Sequence, residues 1–127
     1  MAKRVEVPES GYDRLSRWYD RTFLDSVTVL RGSLFGWIFG RSGQHAVTIN
    51  ETVHLTSHAR DLETVRGIAL LGHEYFHVQQ QRDMGWWVFL ARYVWSWRPS
   101  HVKDGKKHPM EKPAYQRGCE IRKVLGE

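Results

Sequence analysis

The sequence predicts a small α+β domain with a short antiparallel sheet. Three observations lead there. Apolar residues recur at helical spacing near the N-terminus and through most of the second half. Between about residues 27 and 56 the texture is β-branched and punctuated by glycine. The length, 127 residues, suits one domain with one core and excludes folds that need about 200 residues or more. The expected organisation is a single domain over 1–127, with 1–26 as an N-terminal helical segment and 27–127 as the core.

The first helix is expected from Ser10 to about Asp25, where Tyr12, Leu15, Tyr19 and Phe23 recur at spacings of three or four and Ser10 offers an N-cap. Val27–Leu30 reads as a strand. Gly32, Gly36, Gly40 and Gly43 then mark Ser33–Gln44 as a loop or irregular hairpin. His45–Ile49 and Thr52–Thr56 read as short strands joined by a turn at Asn50-Glu51. From about Asp61 to Asp83 the helical period returns, with Ile68, Leu71, Tyr75 and Val78 on one apolar face and Gly85 as the stop. Trp86–Trp97 is a second apolar helix ending before Pro99. Ser100–His108 is a polar, basic loop, and a last helix runs from after Pro109 to about Leu125, with Pro113 in its first turn.

Composition excludes several classes. With 41% apolar and 26% charged residues the chain is globular, not disordered. One cysteine, Cys119, permits no internal disulfide, and it is expected to be a buried or partly buried thiol without a catalytic role. The most apolar stretch, Gly85–Trp97, is 13 residues long and contains Arg92, against the roughly 20 apolar residues that a spanning helix needs. The first residues, Met-Ala-Lys-Arg-Val-Glu-Val-Pro, show no secretory signal, so a cytoplasmic or peripheral location is expected. The net charge of +5 lies in the last third, where residues 81–127 carry ten basic against five acidic groups. That excess reads as a solvated face, and nucleic acid is not expected as a partner.

The chemistry-bearing motif is His73-Glu74-Tyr75-Phe76-His77, the pattern His-Glu-x-x-His on an expected helix. Two histidines four apart project from one helical face at a spacing that suits one zinc ion. Glu74, rotated by about 100° from His73, flanks the metal and can serve as the general base that activates water. Tyr75 points the other way, into the core.

A catalytic zinc needs a third protein ligand. Downstream, His101, Asp104, His108, Glu111 and Glu120 are available. Glu111 is preferred, because it opens the last helix and Ala114 beyond it would let that helix approach the metal helix closely. His108 is the alternative.

With these residues in view, Leu70-Leu-Gly-His-Glu-Tyr-Phe-His-Val-Gln-Gln and the later His108-Pro-Met-Glu-Lys-Pro-Ala-Tyr115 resemble the small gluzincin-type zinc metallopeptidases. The likeness is to the compact bacterial domain associated with extracellular contractile injection systems. It implies a minimal zincin-like fold and peptide-bond hydrolysis with Zn²⁺ as cofactor. It further implies His73, His77 and Glu111 as ligands and Glu74 as general base. Larger gluzincins place an aspartate where this chain has Tyr115. Tyr115 and His108 therefore become candidates to hydrogen-bond a ligand or an oxyanion.

A zincin binds its substrate along an edge strand, and Thr52, Val53, His54 and Leu55 are the expected edge. His54 itself reads as a packing residue. Gln80 and Gln81, on or beside the metal face, include one that could orient a metal ligand, although capping an exposed side is the simpler reading. The Trp-rich helix is expected to cover the site. With Lys103, Lys106 and Lys107 beside it, it could instead face a protein partner or an anionic membrane surface. The expected partner is thus a peptide or protein substrate. The competing expectation is a metal-stabilised binding or scaffold domain with little or no turnover.

Overall fold

Ser16 ends the first helix early. Its hydroxyl donates to the Asp13 carbonyl at 2.6 Å, and the Trp18 and Tyr19 amides both donate to Leu15 O. The single N-terminal helix expected from the sequence is therefore two: α1 (Glu9–Leu15), entered from Pro8 rather than Ser10, and α2 (Arg21–Ser26). The break turns Tyr19 inward, where it is buried and donates to Gly72 O at 2.6 Å. The computed structural model describes residues 2–41, 43–59, 61–95 and 108–126.

The four strands are β1 (Lys3–Arg4), β2 (Thr28–Arg31), β3 (Ala46–Ile49) and β4 (Thr52–Leu55), in the order β1-β2-β4-β3. β1/β2 and β3/β4 are antiparallel, but β2/β4 is parallel, so the α+β fold carries a mixed sheet rather than the antiparallel one expected. The β3–β4 hairpin turns at Asn50-Glu51, both at positive φ (47° and 67°), the backbone of a tight two-residue turn.

β4 is not an edge. Thr52, Val53, His54 and Leu55 are bonded on both sides, and β3 takes the edge instead. The burial explains why. Val53 and Leu55 are buried on one face of the strand, and His54 is buried on the other, which is the state of an interior strand. His54 Nδ1 lies 2.7 Å from Ser33 Oγ and its ring meets Phe35 edge-on, so it packs away from Val53 and Leu55, as a structural histidine.

Most of the expected loop is a helix. Leu34–Gly40 form α3, capped by Ser33 Oγ accepting from Gly36 N at 3.0 Å. Two of the glycines that suggested a loop are contact points: a Cβ on Gly36 would stand 2.7 Å from Leu55 O and one on Gly40 3.2 Å from Thr56 Cβ.

The long helix α4 (Val65–Met84) begins four residues later than expected, because Thr64 accepts from Gly67 N while donating to Asp61 O. Ile68, Leu71, Tyr75 and Val78 are fully buried along one face, as the periodicity predicts, against Leu15, Leu24, Val29, Val53 and Leu55. Gly85, at φ 81°, ends α4 and lets α5 (Trp86–Trp95) start at once. The expected end of that helix at Trp97, its stop at Pro99, and the loop carrying His101, Lys103, Asp104, Lys106 and Lys107 lie outside the described residues.

The last helix, α6 (Lys112–Val124), carries Pro113 in its first turn. It packs on α4 through small residues. A Cβ on Gly72 would lie 2.1 Å from Ile121 Cδ1, Gly118 faces Ala69 O and His73 Cβ, and Ala114 is fully buried. Cys119, on α6, is exposed rather than buried: Ala114 and Ile121 mark the inward face, and Cys119 falls off it.

Candidate metal centre

The α4–α6 contact brings three side chains to one point. Glu111, at the N-cap position of α6, sets its Oε1 3.1 Å from His73 Nε2 and 2.7 Å from His77 Nε2. One ligand atom from each of the three residues lies within 4.8 Å of the others, and they form the sole such His/Cys/Asp/Glu group among the described residues. This group can hold a metal ion. His77 is buried, while His73 and Glu111 are partly exposed, which leaves the cluster an open side.

Each member is held from behind. Gln80, one turn after His77, places its Oε1 2.8 Å from His77 Nδ1 and anchors its own amide by donating to Met110 O at 3.1 Å. With Nδ1 directed at an acceptor, Nε2 is the nitrogen left for a metal. The Tyr93 hydroxyl of α5 donates to Glu111 Oε2 at 2.7 Å, leaving Oε1 for the cluster. Tyr115, half exposed, sets its ring edge-on to His73 with centroids 4.5 Å apart.

The electrostatics fit a site for a cation. Burial alone would push the His77 imidazole down, but hydrogen bonding to Glu111 and the charges of Glu111 and Glu74 outweigh it and carry it up to about 9. Burial would raise Glu111, and the two histidines instead hold it well below the usual carboxylate range. Without metal, both His77 nitrogens face acceptors, the arrangement of an imidazolium. A metal at Nε2 would replace that proton and keep the Nδ1–H to Gln80. Two imidazole nitrogens and one carboxylate oxygen are also a donor set that suits zinc and leaves a coordination position open.

Glu74 is bonded to the sheet rather than to the cluster. It is 5% exposed, and Thr48 Oγ1 on β3 donates to its Oε2 at 2.6 Å. Gln81, next to Gln80, is buried and braces the same hairpin, donating to Thr48 O at 3.0 Å and accepting from Glu51 N at 2.8 Å. Gln80 and Gln81 are therefore struts to neighbouring elements, not a cap on an exposed side.

His108 is not a ligand. It is fully buried, its Nε2 donates to Tyr93 O at 2.7 Å, and its Nδ1 accepts from Met110 N at 3.0 Å, so backbone occupies both ring nitrogens. The same occupancy removes it as an oxyanion donor. Glu120 accepts from Trp18 Nε1, away from the cluster. Sequence reasoning missed Thr48 and Tyr93. Thr48 sits at an inward position of an alternating strand, and Tyr93 lies one turn after the buried Phe89, so a hydroxyl on an otherwise apolar inward face was the available signal in both.

The Trp-rich helix divides its faces. Phe89 is buried and meets His77 edge-on, with centroids 6.1 Å apart, so this side covers the cluster. Trp87, Val88, Val94 and Trp95 are exposed on the other. No described helix is long and apolar enough to cross a membrane.

Residues 6–85, α1 through α4, match the family model of the eCIS core domain, the domain of extracellular contractile injection systems. The chain belongs to this family. No curated protein and no solved structure matches it. Membership in the eCIS core family suggests a role in a protein complex. The matched residues include His73, Glu74 and His77, whereas Tyr93, His108 and Glu111 lie beyond them.

Proposed function

We propose that this eCIS core protein is a zinc-dependent peptide hydrolase of the gluzincin type. His73, His77 and Glu111 hold the metal, and Glu74 is the general base. The observation that carries the reading is the convergence of both histidine Nε2 atoms on one oxygen of Glu111, beside a buried glutamate one residue after His73. Zinc, when bound, supplies a Lewis acid that lowers the pKa of water to about 7.

The chain's own groups do the rest. Thr48 occupies Glu74 Oε2, which leaves Oε1 to take a proton from water and return it to the leaving amine nitrogen. Gln80 keeps His77 in the tautomer that presents Nε2. The substrate strand runs along β3, the observed edge.

The test is hydrolysis of a broad peptide library by zinc-loaded protein. Glu74→Gln is expected to abolish cleavage while zinc stays bound. Zinc-loaded wild type that cleaves nothing overturns the reading.

One observation favours the second reading, a metal-stabilised scaffold without turnover. In the hairpin, His45 O accepts from Thr56 N, so the alternation turns the Thr48 carbonyl outward, and there Gln81 already occupies it. A peptide adding to this edge finds one of its acceptors taken. The same library experiment separates the two readings.

A further inference from the structure

The matched core domain supplies the two histidines of the cluster, but its third member, the tyrosine that bonds it and the histidine that holds that tyrosine come from the chain beyond Gly85. We infer that Tyr93 and His108 are positioning residues for Glu111, so that α5 and the turn before α6 complete the metal centre as one preorganised unit. The inference rests on the metal reading above.

A glutamate side chain on its own samples many rotamers, and either oxygen could face the histidines. Here the choice is made in advance. The Tyr93 hydroxyl takes Oε2 at 2.7 Å, so Oε1 alone faces His73 and His77. Tyr93 is itself held by His108 in two ways. The rings stack with centroids 4.1 Å apart and planes 25° from parallel, and His108 Nε2 donates to the Tyr93 carbonyl at 2.7 Å.

His108 presents one ring nitrogen as acceptor and the other as donor. Its Nδ1 accepts the Met110 amide proton at 3.0 Å, which places its own proton on Nε2. Its carbonyl accepts from Glu111 N and Lys112 N, at 3.0 and 2.8 Å, so the residue that fixes Tyr93 also fixes the backbone from which Glu111 projects. Eighteen positions of sequence separate Tyr93 from Glu111, yet both ends of that stretch are pinned to one residue, to the ring of His108 at Tyr93 and to its carbonyl at Glu111. Gln80 ties the same turn to α4 through Met110 O, which joins the two halves of the site.

The test uses the full chain, with zinc affinity measured by competition against a chromophoric chelator and cobalt(II) absorption reporting coordination geometry. Tyr93→Phe removes one hydroxyl and is expected to weaken zinc binding about 10- to 100-fold, the usual effect of losing a partner that orients a ligand. The thermal midpoint of the metal-free protein should move little. His108→Ala should weaken binding similarly. The double variant should bind no more weakly than the weaker single variant, because His108 acts through Tyr93. A merely structural role for His108 would give additive losses and an unchanged cobalt spectrum. If His108→Ala does not fold, Tyr93→Phe decides alone. Wild-type zinc affinity and cobalt spectrum in Tyr93→Phe overturn the inference and leave the metal reading intact. Wild-type protein that binds neither zinc nor cobalt overturns both.

Discussion

Thr48 Oγ1 donates to Glu74 Oε2 at 2.6 Å, tying the edge strand β3 to the one buried carboxylate on the inward side of α4. A charged acceptor in a buried site makes this bond stronger than a neutral one, and losing it leaves an oxygen without its donor. Thr48→Val keeps the shape and removes the hydroxyl. It is expected to lower the stability of the metal-free protein by about 1–3 kcal/mol in urea denaturation at neutral pH, with Thr48→Ser recovering most of the loss. Equal midpoints for Thr48→Val and wild type would mean that Thr48 does not hold Glu74.

The α4–α6 contact makes a second prediction. Alanine is a better helix former than glycine by about 1 kcal/mol, so Gly72→Ala would stabilise an exposed helix. At this position the added Cβ would stand 2.1 Å from Ile121 Cδ1, and Ile121 is fully buried. Overpacking of this kind costs about 1–3 kcal/mol. Gly72→Ala is therefore expected to destabilise, and Ile121→Val, which deletes the clashing methyl, should restore part of the loss in the double variant although it costs about 0.5–1.5 kcal/mol alone. Urea midpoints of the four proteins close the cycle, and strict additivity would mean that the helices do not meet there.

What could be read from sequence follows the range of the forces involved. The buried face of α4 was legible because Ile68, Leu71, Tyr75 and Val78 repeat at helical period, and the His73/His77 pair because one helix makes it. Glu111 was legible as the acid that opens the last helix. The break between α1 and α2 was not, because the bond that turns Tyr19 inward goes to Gly72, far along the chain. α3 was hidden by Gly36, which signals a loop locally but serves a close approach to the Leu55 carbonyl. The interior place of β4 depends on β2 pairing in parallel beside it, which no strand pattern encodes. The inward aim of Thr48 and Tyr93 depends on partners 26 and 18 positions away.

The exposed thiol gives a third prediction. Cys119 stands on the outer side of α6, off the face that carries Ala114 and Ile121. A water-soluble thiol reagent should therefore label it in the folded protein about as fast as in the urea-unfolded protein. Labelling that is slowed about 100-fold or more by folding would mean the thiol is covered.

The last prediction concerns pH, and it follows from the His77–Glu111 pair in metal-free protein. His77 is carried up to about 9 in the folded state, against about 6.5 in an unfolded chain. The fold thus favours its charged form, a contribution fully present below about pH 6.5 and lost as pH rises towards 9. Glu111 is held below the ordinary carboxylate range, so its contribution is present above about pH 4.5 and is lost as acid protonates it. Both contributions are whole only between about pH 4.5 and 6.5, and metal-free stability should fall from pH 6.5 to 9. Metal affinity should run the other way, because a ligating His77 must first give up its Nε2 proton, so apparent zinc affinity should climb with pH until about 9. Urea midpoints and chelator competition at pH 6, 7.5 and 9 read the two trends. In His77→Gln both should flatten, and a slope that survives that substitution would trace the pH dependence to other groups.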